Sequence, residues 1–183
     1  YGNSIDSLVL SGPPGFLSRF RFFLIRFLLK LESFSVGKGK KSKLMQKILF
    51  EKPNESFKNM GSTGFEWLSR DEEAVAKYVS DDKCGFVLTI DSLSKMFEGM
   101  KLSQSAVMLK RIPRSLPISI LAGEDDPIHR KGAGISAMIK KYSQIGLEEV
   151  CVEIYPGARH ELFNELNKRQ VIDDLVKWIE TKC

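Results

Sequence analysis

The sequence has few of the residues from which metal sites and disulfide frameworks are built. It contains two histidines and three cysteines, and the cysteines (Cys84, Cys151 and Cys183) show neither paired nor metal-ligand spacing. A disulfide scaffold and a zinc site are therefore not expected, and no metal site is predicted. The sparse, unpaired cysteines favour a reducing compartment, and we expect a cytoplasmic protein.

Long apolar runs are also missing. Residues 16–31 are rich in leucine and phenylalanine, but they include four basic residues and are shorter than a membrane span of roughly 20 apolar residues. A transmembrane helix is therefore not expected, whereas peripheral contact of this segment with a membrane is an open alternative. The sequence starts at Tyr1 without an initiating methionine, a charged leader or a signal peptide, so we expect it to continue a longer protein.

The composition fits one globular domain with a sizeable core, since 43% of the 183 residues are hydrophobic. The net charge of +5 comes largely from residues 19–30 and 38–47, which indicates a local basic surface. Residues 37–43 are predicted to form a solvated loop. No aromatic and basic motif of an RNA-binding sheet is present, so nucleic acid is not an expected partner.

The pattern of apolar residues predicts an α/β protein in which a parallel sheet alternates with helices. Strands are predicted at residues 5–10, 117–122 and 150–155, each closed by a turn rich in glycine or proline. Helices are predicted at residues 16–31, 42–50, 72–80, 90–102, 132–145 and 165–180.

Four of these helices fall between the first two strands with no strand among them. This arrangement indicates an insertion and not a simple crossover. We therefore divide the chain into a core strand and turn at residues 1–15, a helical cap at residues 16–112, and the remainder of the core at residues 113–183.

The first predicted helix carries an apolar stripe, because its apolar residues recur every three or four positions. The centre of the stripe is formed by Phe20, Phe23, Leu24 and Phe27. A lid over a binding pocket would use such a stripe to hold an apolar chain. Packing of the stripe onto the sheet is the alternative, and the sequence favours neither.

Three further helices have predicted faces or caps. Ser69 is predicted to cap the N-terminus of the helix at 72–80, which has acidic residues in its first turn. The residues predicted to face the core in the last two helices are Ile135, Met138, Ile139 and Tyr142, and Val171, Ile172, Leu175, Trp178 and Ile179.

Two turns that follow predicted strands carry groups suited to acid–base catalysis. Asp125 and Asp126 follow the strand at 117–122, and His160 follows the strand at 150–155. Because the carboxyl ends of parallel strands lie at one edge of a sheet, we expect an aspartate and His160 to meet there within roughly 2.6–3.2 Å. An imidazole held by a carboxylate can take a proton from a nucleophile and later return it.

Each of these residues also has a non-catalytic interpretation. His160 alone would equally suit a loop histidine bonded to the backbone. Asp125 and Asp126 compete for the partner role, although Pro127 steers the backbone of Asp126 away from helix. His129 is predicted to lie at the surface or at a helix N-terminus and not to act in catalysis.

A nucleophile is not evident in the sequence. The order of aspartate before histidine is that of the α/β-hydrolase triad, whose serine comes earlier in a Gly-x-Ser-x-Gly turn, and no such segment is present. Ser136 follows Asp126, lacks the second glycine and falls inside a predicted helix, so we reject it.

Four segments carry a resemblance to a known family. They are residues 65–72 (FEWLSRDE), 82–86 (DKCGF), 122–127 (AGEDDP) and 155–161 (YPGARHE). In this order they resemble the C-terminal part of lysophospholipase-like or monoacylglycerol lipase-like α/β-hydrolases, the serine aminopeptidase S33 group. The resemblance extends over essentially the whole chain.

The resemblance implies a serine hydrolase that acts on carboxylic esters of lipid-like acyl groups without a cofactor. It assigns the triad acid to Asp126 and the triad base to His160. It also implies that the nucleophile and the oxyanion hole belong to an N-terminal half outside these 183 residues, and that this chain alone is inactive. The alternative is a non-catalytic module that uses the helix at 16–31 to bind lipid or a partner.

Overall fold

A short parallel sheet organises the fold. The computed structural model describes residues 2–182, with the backbone only for Phe50, so Tyr1 and Cys183 lie outside the described part. Strands β1 (Leu8–Ser11), β2 (Ile118–Gly123) and β3 (Val150–Tyr155) follow one another in the sheet, and both pairs are parallel. The predicted α/β architecture is confirmed.

The strand bounds follow the prediction closely at β2 and β3 and less closely at β1. β3 covers the predicted residues, and β2 begins and ends one residue later than predicted. β1 begins at Leu8, whose N–H donates to the carbonyl oxygen of Pro117 over 3.0 Å. Ile5, predicted to start this strand, is instead exposed and follows a 3₁₀ turn at Gly2–Ser4.

Within the described residues, six α-helices lie between β1 and β2. They are α1 (Arg19–Val36), α2 (Lys43–Gln46), α3 (Lys52–Asn54), α4 (Glu72–Ser80), α5 (Ile90–Ser103) and α6 (Ala106–Leu109). A π-helical turn at Lys47–Glu51 connects α2 to α3, and 3₁₀ turns follow at Glu55–Phe57 and Glu66–Leu68. The short helices α3 and α6 were not predicted.

Two helices accompany the last two strands. α7 (Ala133–Gln144) connects β2 to β3, and α8 (Lys168–Glu180) follows β3. Further 3₁₀ turns at Pro127–His129 and Leu162–Asn164 follow β2 and β3. α8 begins three residues later than predicted because Glu165 has extended backbone geometry and a buried side chain.

The core lies on both faces of β2, which is buried along its whole length. Alternate side chains point to opposite faces of a strand, so Ile118 and Ile120 pack against α7, whereas Leu121 packs with Val171 of α8. Three residues predicted to face the core are instead exposed: Ile139, Ile172 and Ile179.

The helices between β1 and β2 have an apolar cluster of their own. Its buried members come from α1, α2 and α5: Phe22, Leu29, Met45, Ile90, Leu93 and Phe97. A second, smaller cluster of Phe57, Trp67 and Leu68 lies nearer the carboxyl edge of the sheet, with Ile128 against it. The division of the chain at residues 15 and 112 stays a prediction.

The packing face of α1 differs from the predicted stripe. Ser18 caps the helix by accepting a hydrogen bond from Arg21 N, so the helix begins at Arg19 and not at residue 16. Phe22 and Leu29 are buried against α5, whereas Phe20, Phe23, Leu24 and Phe27 are exposed by 71, 65, 43 and 48%. Packing of these four residues onto the sheet is therefore contradicted.

The N-cap of α4 is Asp71 and not Ser69. The Asp71 side chain accepts hydrogen bonds from Glu73 N and Ala74 N, while acidic residues occupy the first turn as predicted. Ser69 Oγ instead donates to the carbonyl oxygen of Asn164, 95 positions away in the chain. Ser69 thus connects the helical segment to the turn after β3.

Candidate active site

Asp126 and His160 meet at the carboxyl edge of the sheet. Asp126 Oδ2 lies 2.9 Å from His160 Nδ1, within the distance expected from the sequence. The Asp126 carboxylate is fully buried and its Oδ1 also accepts a hydrogen bond from Ile128 N, whereas the imidazole is 27% exposed. The buried carboxylate therefore holds one nitrogen of a histidine that remains open to solvent.

The other acidic candidates of the same turn have different contacts. Glu124 Oε2 accepts a hydrogen bond from Gly157 N, and Asp125 is exposed and is tied through its backbone N–H to the carbonyl oxygen of Ala158. Of the two aspartates that the sequence left in competition, Asp126 is the one in contact with His160.

A glycine at the end of β2 allows the two turns to approach this closely. A Cβ atom on Gly123 would lie 2.2 Å from the carbonyl oxygens of both Ala158 and Arg159. Such contacts are with backbone and cannot be relieved by a side-chain rotation. Only glycine therefore lets the turn before His160 lie directly over the end of β2.

The imidazole of His160 is flanked by a glycine and a tryptophan. Gly12 follows β1 with φ near +57°, and a Cβ there would lie 3.1 Å from His160 Nδ1. The Trp67 ring lies 5.1 Å from the imidazole, centroid to centroid, and the carbonyl of Trp67 accepts a hydrogen bond from His160 N. These contacts fix the ring plane without occupying Nε2, which has no hydrogen bond to any residue of the described chain.

A buried glutamate, Glu165, anchors the His160 turn. Its carboxylate accepts hydrogen bonds from Arg159 N, from Leu166 N, and from both the backbone N–H and the Nε of Arg70. Burial raises the pKa of Glu165 because it disfavours the charged form. The hydrogen bonds from these donors lower the pKa by more, so it lies below its ordinary value. Glu165 is therefore a charged group that holds the residue before His160 in place.

A second buried glutamate, Glu66, organises the segment that covers the site. It accepts hydrogen bonds from Asn54 Nδ2 and from Thr63 N and Oγ1. Burial opposes its ionisation, but the hydrogen bonds from Thr63 and Asn54 lower the pKa of Glu66 to about 2. Arg159 Nη1 donates to the carbonyl oxygens of Glu66 and Ser69, which connects this segment to the His160 turn.

His129 is buried, so the surface alternative of its prediction is wrong, and it lies just ahead of the N-terminus of α7. Its Nε2 lies 2.7 Å from the carbonyl oxygen of Gly123, and its Nδ1 lies 2.8 Å from Gly132 N. A carbonyl requires a donor and an N–H requires an acceptor, so these partners place the proton on Nε2. Ser136 lies within α7, as predicted.

Some of the exposed aromatic residues of α1 border a groove of about 2050 Å³ between α1, α5 and α7. Phe23 and Phe27 line this groove, whereas Phe20 and Leu24 do not. Asp126 and His160 are not part of its wall. The structure therefore separates the four stripe residues into two that face the groove and two that face elsewhere.

Within residues 2–182, no three side chains of histidine, cysteine, aspartate or glutamate are placed to share a metal ion. None of the helices in that range combines the length and the apolar character needed to cross a bilayer.

Comparison with known proteins identifies the family. The sequence profile described as "Serine aminopeptidase, S33" matches residues 1–167. The chain belongs to this family. The S33 chain is 28% identical over 114 residues to a monoacylglycerol lipase of Mycolicibacterium smegmatis (strain ATCC 700084 / mc(2)155), a match that covers 61% of the chain and 38% of the relative.

Solved structures show the same fold. A thermostable carboxyl esterase from Bacillus coagulans, in complex with glycerol, matches with a TM-score of 0.79 and 26% identity over 99% of the S33 chain and 58% of the esterase. A monoacylglycerol lipase from Paleococcus ferrophilus matches with a TM-score of 0.64 and 18% identity, over 98 and 60% of the two chains. The fold is that of the α/β-hydrolases, and the S33 chain spans less than two thirds of the length of these relatives.

Sequence reasoning missed the residues that position His160. In the sequence, Arg70, Trp67 and Arg159 are only parts of segments that resemble the S33 family, and Glu165 falls at the start of a predicted helix. Their roles depend on partners 90 or more positions away, such as Arg70 with Glu165 and Arg159 with Ser69. One local feature could have indicated a buried charged group near the site: Glu66 is the charged residue among the apolar residues of FEWL.

Proposed function

We propose that this chain supplies the acid–base pair of a serine ester hydrolase of the monoacylglycerol lipase or lysophospholipase type, with Asp126 as the acid and His160 as the base. The observation that carries the proposal is the 2.9 Å contact between buried Asp126 Oδ2 and His160 Nδ1. Membership of the S33 family supports it. So do the monoacylglycerol lipase and carboxyl esterase relatives.

The geometry suits each step of ester hydrolysis. Asp126 accepts a hydrogen bond from Nδ1–H of His160, which leaves the lone pair on Nε2 available as a general base. Nε2 removes the proton of a serine hydroxyl as the serine oxygen attacks the ester carbonyl, and then donates it to the departing alcohol. Water deprotonated by the same nitrogen releases the acid and restores the serine. Asp126 stabilises the imidazolium in both halves without becoming protonated.

The serine and the oxyanion hole are proposed to come from outside these residues. No Gly-x-Ser-x-Gly segment occurs in the sequence, and the matched relatives are considerably longer than this chain. The proposed partner is therefore an N-terminal half of the same hydrolase. Residues 1–183 alone are expected to hydrolyse p-nitrophenyl esters no faster than background, since an enzyme without its nucleophile retains only residual catalysis.

The proposed substrate is an ester with an apolar acyl chain. Phe23 and Phe27 stack with a centroid distance of 6.3 Å and border the large groove beside α1. Burying an aromatic or aliphatic group of a ligand is worth roughly 25 cal/mol per Å² of apolar surface. We propose that Phe23 and Phe27 contact long acyl chains in this groove, whereas the expected contribution of Phe20 and Leu24, which do not line it, stays a prediction.

Substitution of neighbouring aspartates in the intact protein tests the catalytic proposal. Asp126→Asn should lower kcat by on the order of 10⁴-fold, because an amide cannot hold the imidazole in its basic tautomer. His160→Ala should remove comparable activity and leave the protein folded. Asp125→Asn is the matched control, since it removes the same charge from an exposed position, and its kcat should stay within a factor of two or so of wild type.

The measurement is ester hydrolysis combined with intact-mass detection of a fluorophosphonate adduct on the intact protein. An adduct in the wild type and loss of turnover only in the Asp126 and His160 variants would support the proposal. Wild-type turnover retained in all three variants would remove Asp126 and His160 from the mechanism, and a wild type with neither turnover nor adduct would favour the non-catalytic module. Loss in Asp125→Asn but not in Asp126→Asn would reassign the acid.

A further inference from the structure

A single loop carries His160 into the candidate site. It covers residues 156–167, between the end of β3 and the start of α8, and is called the histidine loop below. The loop contains a 3₁₀ turn at Leu162–Asn164 and is otherwise irregular. A catalytic group has to be held to within about 0.5 Å of its productive position. An irregular loop therefore needs contacts from other parts of the chain to keep His160 in place.

The side chain of Arg70 contacts both ends of the histidine loop. At the N-terminal end it lies beside Gly157, because a Cβ atom on this glycine would be 3.0 Å from Arg70 Nη1. At the C-terminal end Arg70 Nη2 donates a hydrogen bond to Asn167 Oδ1 over 2.9 Å. His160 lies between these two contacts in the sequence. One guanidinium group thus bridges the two ends of the segment that carries the histidine.

The same side chain also supports the middle of the loop, through Glu165. Arg70 Nε donates to Glu165 Oε2 over 2.8 Å, and the backbone N–H of Arg70 donates to Oε1 over 3.0 Å. Oε1 accepts a further hydrogen bond of 2.9 Å from the N–H of Arg159, the residue directly before His160. A fully buried carboxylate stays charged only where hydrogen bonds or an opposite charge compensate for its burial. Arg70 supplies that opposite charge.

The three contacts of the guanidinium require an arginine. They use three different nitrogens: Nε on Glu165, Nη1 beside Gly157 and Nη2 on Asn167. A guanidinium presents its donors in a fixed planar fork, whereas the ammonium group of lysine is a point charge on a flexible stem. A lysine at position 70 would keep the ion pair with Glu165 but would not bridge the two ends of the loop.

Arg70 comes from a distant part of the chain, the segment before α4. The backbone of this segment binds the histidine loop as well. His160 N donates to the carbonyl oxygen of Trp67. Glu161 N donates to the carbonyl oxygen of Leu68 over 2.8 Å. These backbone bonds survive a substitution of Arg70, so the contribution of its side chain can be measured separately.

We propose that Arg70 is a positioning residue for His160, and that its guanidinium closes the histidine loop so that the imidazole stays aligned with Asp126. This role rests on the proposed function, because it affects catalysis only if His160 acts as the base. Arg70 is not part of the groove wall beside α1, so its loss should leave substrate binding intact. Displacement of a catalytic group by about 1 Å costs on the order of 100-fold in rate.

Kinetics of Arg70 variants of the intact protein test the proposal. Arg70→Met should lower kcat for ester hydrolysis by on the order of 100-fold and leave KM unchanged. Arg70→Lys should lower kcat by a similar factor, because it keeps the charge and loses the bridge. The lysine variant decides the question if the methionine variant does not fold. A purely structural role would reduce the amount of folded protein and leave the kcat of the folded protein unchanged.

Lys168→Met is the matched control. Lys168 forms the neighbouring ion pair between the same two segments, with its Nζ 3.2 Å from Asp71 Oδ2, but its side chain is half exposed. Removing a surface ion pair has little effect, so kcat and KM should both equal those of wild type. Full kcat in Arg70→Lys, or an equal loss of kcat in Lys168→Met, would overturn the proposal.

Proton NMR of the intact protein separates the positioning role from the proposed activity. A proton held between an imidazole nitrogen and a buried carboxylate resonates far downfield, so its signal should be present in wild type and absent from His160→Ala. Arg70→Lys should weaken or abolish the signal, because a loosely held imidazole exchanges this proton with water, and Lys168→Met should keep it.

The possible NMR results assign any failure to one claim or the other. This pattern of signals in a protein without ester turnover would contradict the proposed function and leave the positioning role standing. A signal that is unchanged in Arg70→Lys would overturn the positioning role alone. A wild type with neither turnover nor signal would overturn both. If the wild type has turnover but no signal, the kcat of Arg70→Lys decides.

Discussion

At the scale of single residues, two buried glutamates hold the candidate site together. Glu165 binds the backbone of Arg159 and the guanidinium of Arg70. Glu66 orders the segment that places Trp67 beside His160. Removing one partner from such a network leaves a buried donor or charge without compensation, which costs about 1–3 kcal/mol. The ionised glutamates therefore stabilise the site only while they remain charged.

The pH dependence of stability should reveal Glu66. Its pKa is about 2 in the folded protein and 4.5 as the ordinary value, so the unfolded chain takes up the proton more readily. Its contribution is complete above pH 4.5 and is lost as the pH falls from there toward about 2. Glu66→Gln should be less stable than wild type by about 1–3 kcal/mol at neutral pH, and this difference should shrink below about pH 4.5.

Urea unfolding of the intact protein at several pH values measures this difference. Glu148→Gln is the control, because it removes a carboxylate from an exposed position. Its stability should follow that of wild type at every pH. A difference between Glu66→Gln and wild type that stays constant through the acidic range would contradict an ionised Glu66.

At the scale of elements, the two faces of α1 have different expected roles: the inner face stabilises the fold and the outer face binds a ligand. Leu29, on the inner face, is 1% exposed and packs among residues of α5. Phe27, on the outer face, is 48% exposed and borders the groove. The two faces lie on one helix, so substitutions on it can be compared directly.

Leu29→Ala and Phe27→Ser should therefore have different effects in the intact protein. Truncating a buried leucine costs about 2–5 kcal/mol, so Leu29→Ala should lower the free energy of unfolding by that amount. Phe27→Ser should change it by about 0.5 kcal/mol or less, yet lower kcat/KM for a long-chain ester, measured without vesicles, much more than for an acetate ester. Equal losses on both esters together with reduced stability would mean that Phe27 packs the fold and does not bind the acyl chain.

At the scale of the whole molecule, the sheet has two open edges within the described chain. β1 pairs with β2 on one side only, and β3 likewise pairs only with β2. Leu8, Val9 and Leu10 of β1 are half-buried, and Ile154 of β3 is 42% exposed. Unpaired strand edges with apolar neighbours recruit other chains.

A polypeptide consisting of residues 1–183 alone is therefore expected to associate at micromolar concentration. A three-stranded sheet with open edges covers little apolar surface for a chain of this length. Size-exclusion chromatography with light scattering should show oligomers or aggregates, and co-expression with the proposed N-terminal half should yield a well-behaved complex. A sharply melting monomer would show that these residues fold autonomously and would favour the binding-module alternative.

Much of the fold could be predicted from the sequence because its signals are local. The apolar runs at 117–122 and 150–155, each followed by a glycine turn, located β2 and β3 to within one residue. The helical periods located α1, α4, α5 and α7, although α1 begins later than predicted because Ser18 caps it, and Asp71 replaces Ser69 as the cap of α4. The position of Asp126 and His160 at the same sheet edge followed from strand order alone.

The α/β class, the parallel order of elements and the pair of turns that carry an aspartate and a histidine can be read from the amino-acid sequence alone. The tertiary structure decided which aspartate meets His160, which face of α1 is buried, and that Glu165 is a buried anchor. Strand runs and turns are encoded by neighbouring residues. A side chain's partner is set by packing between segments as distant as Arg70 and Glu165, 95 positions apart, and no local pattern contains that information.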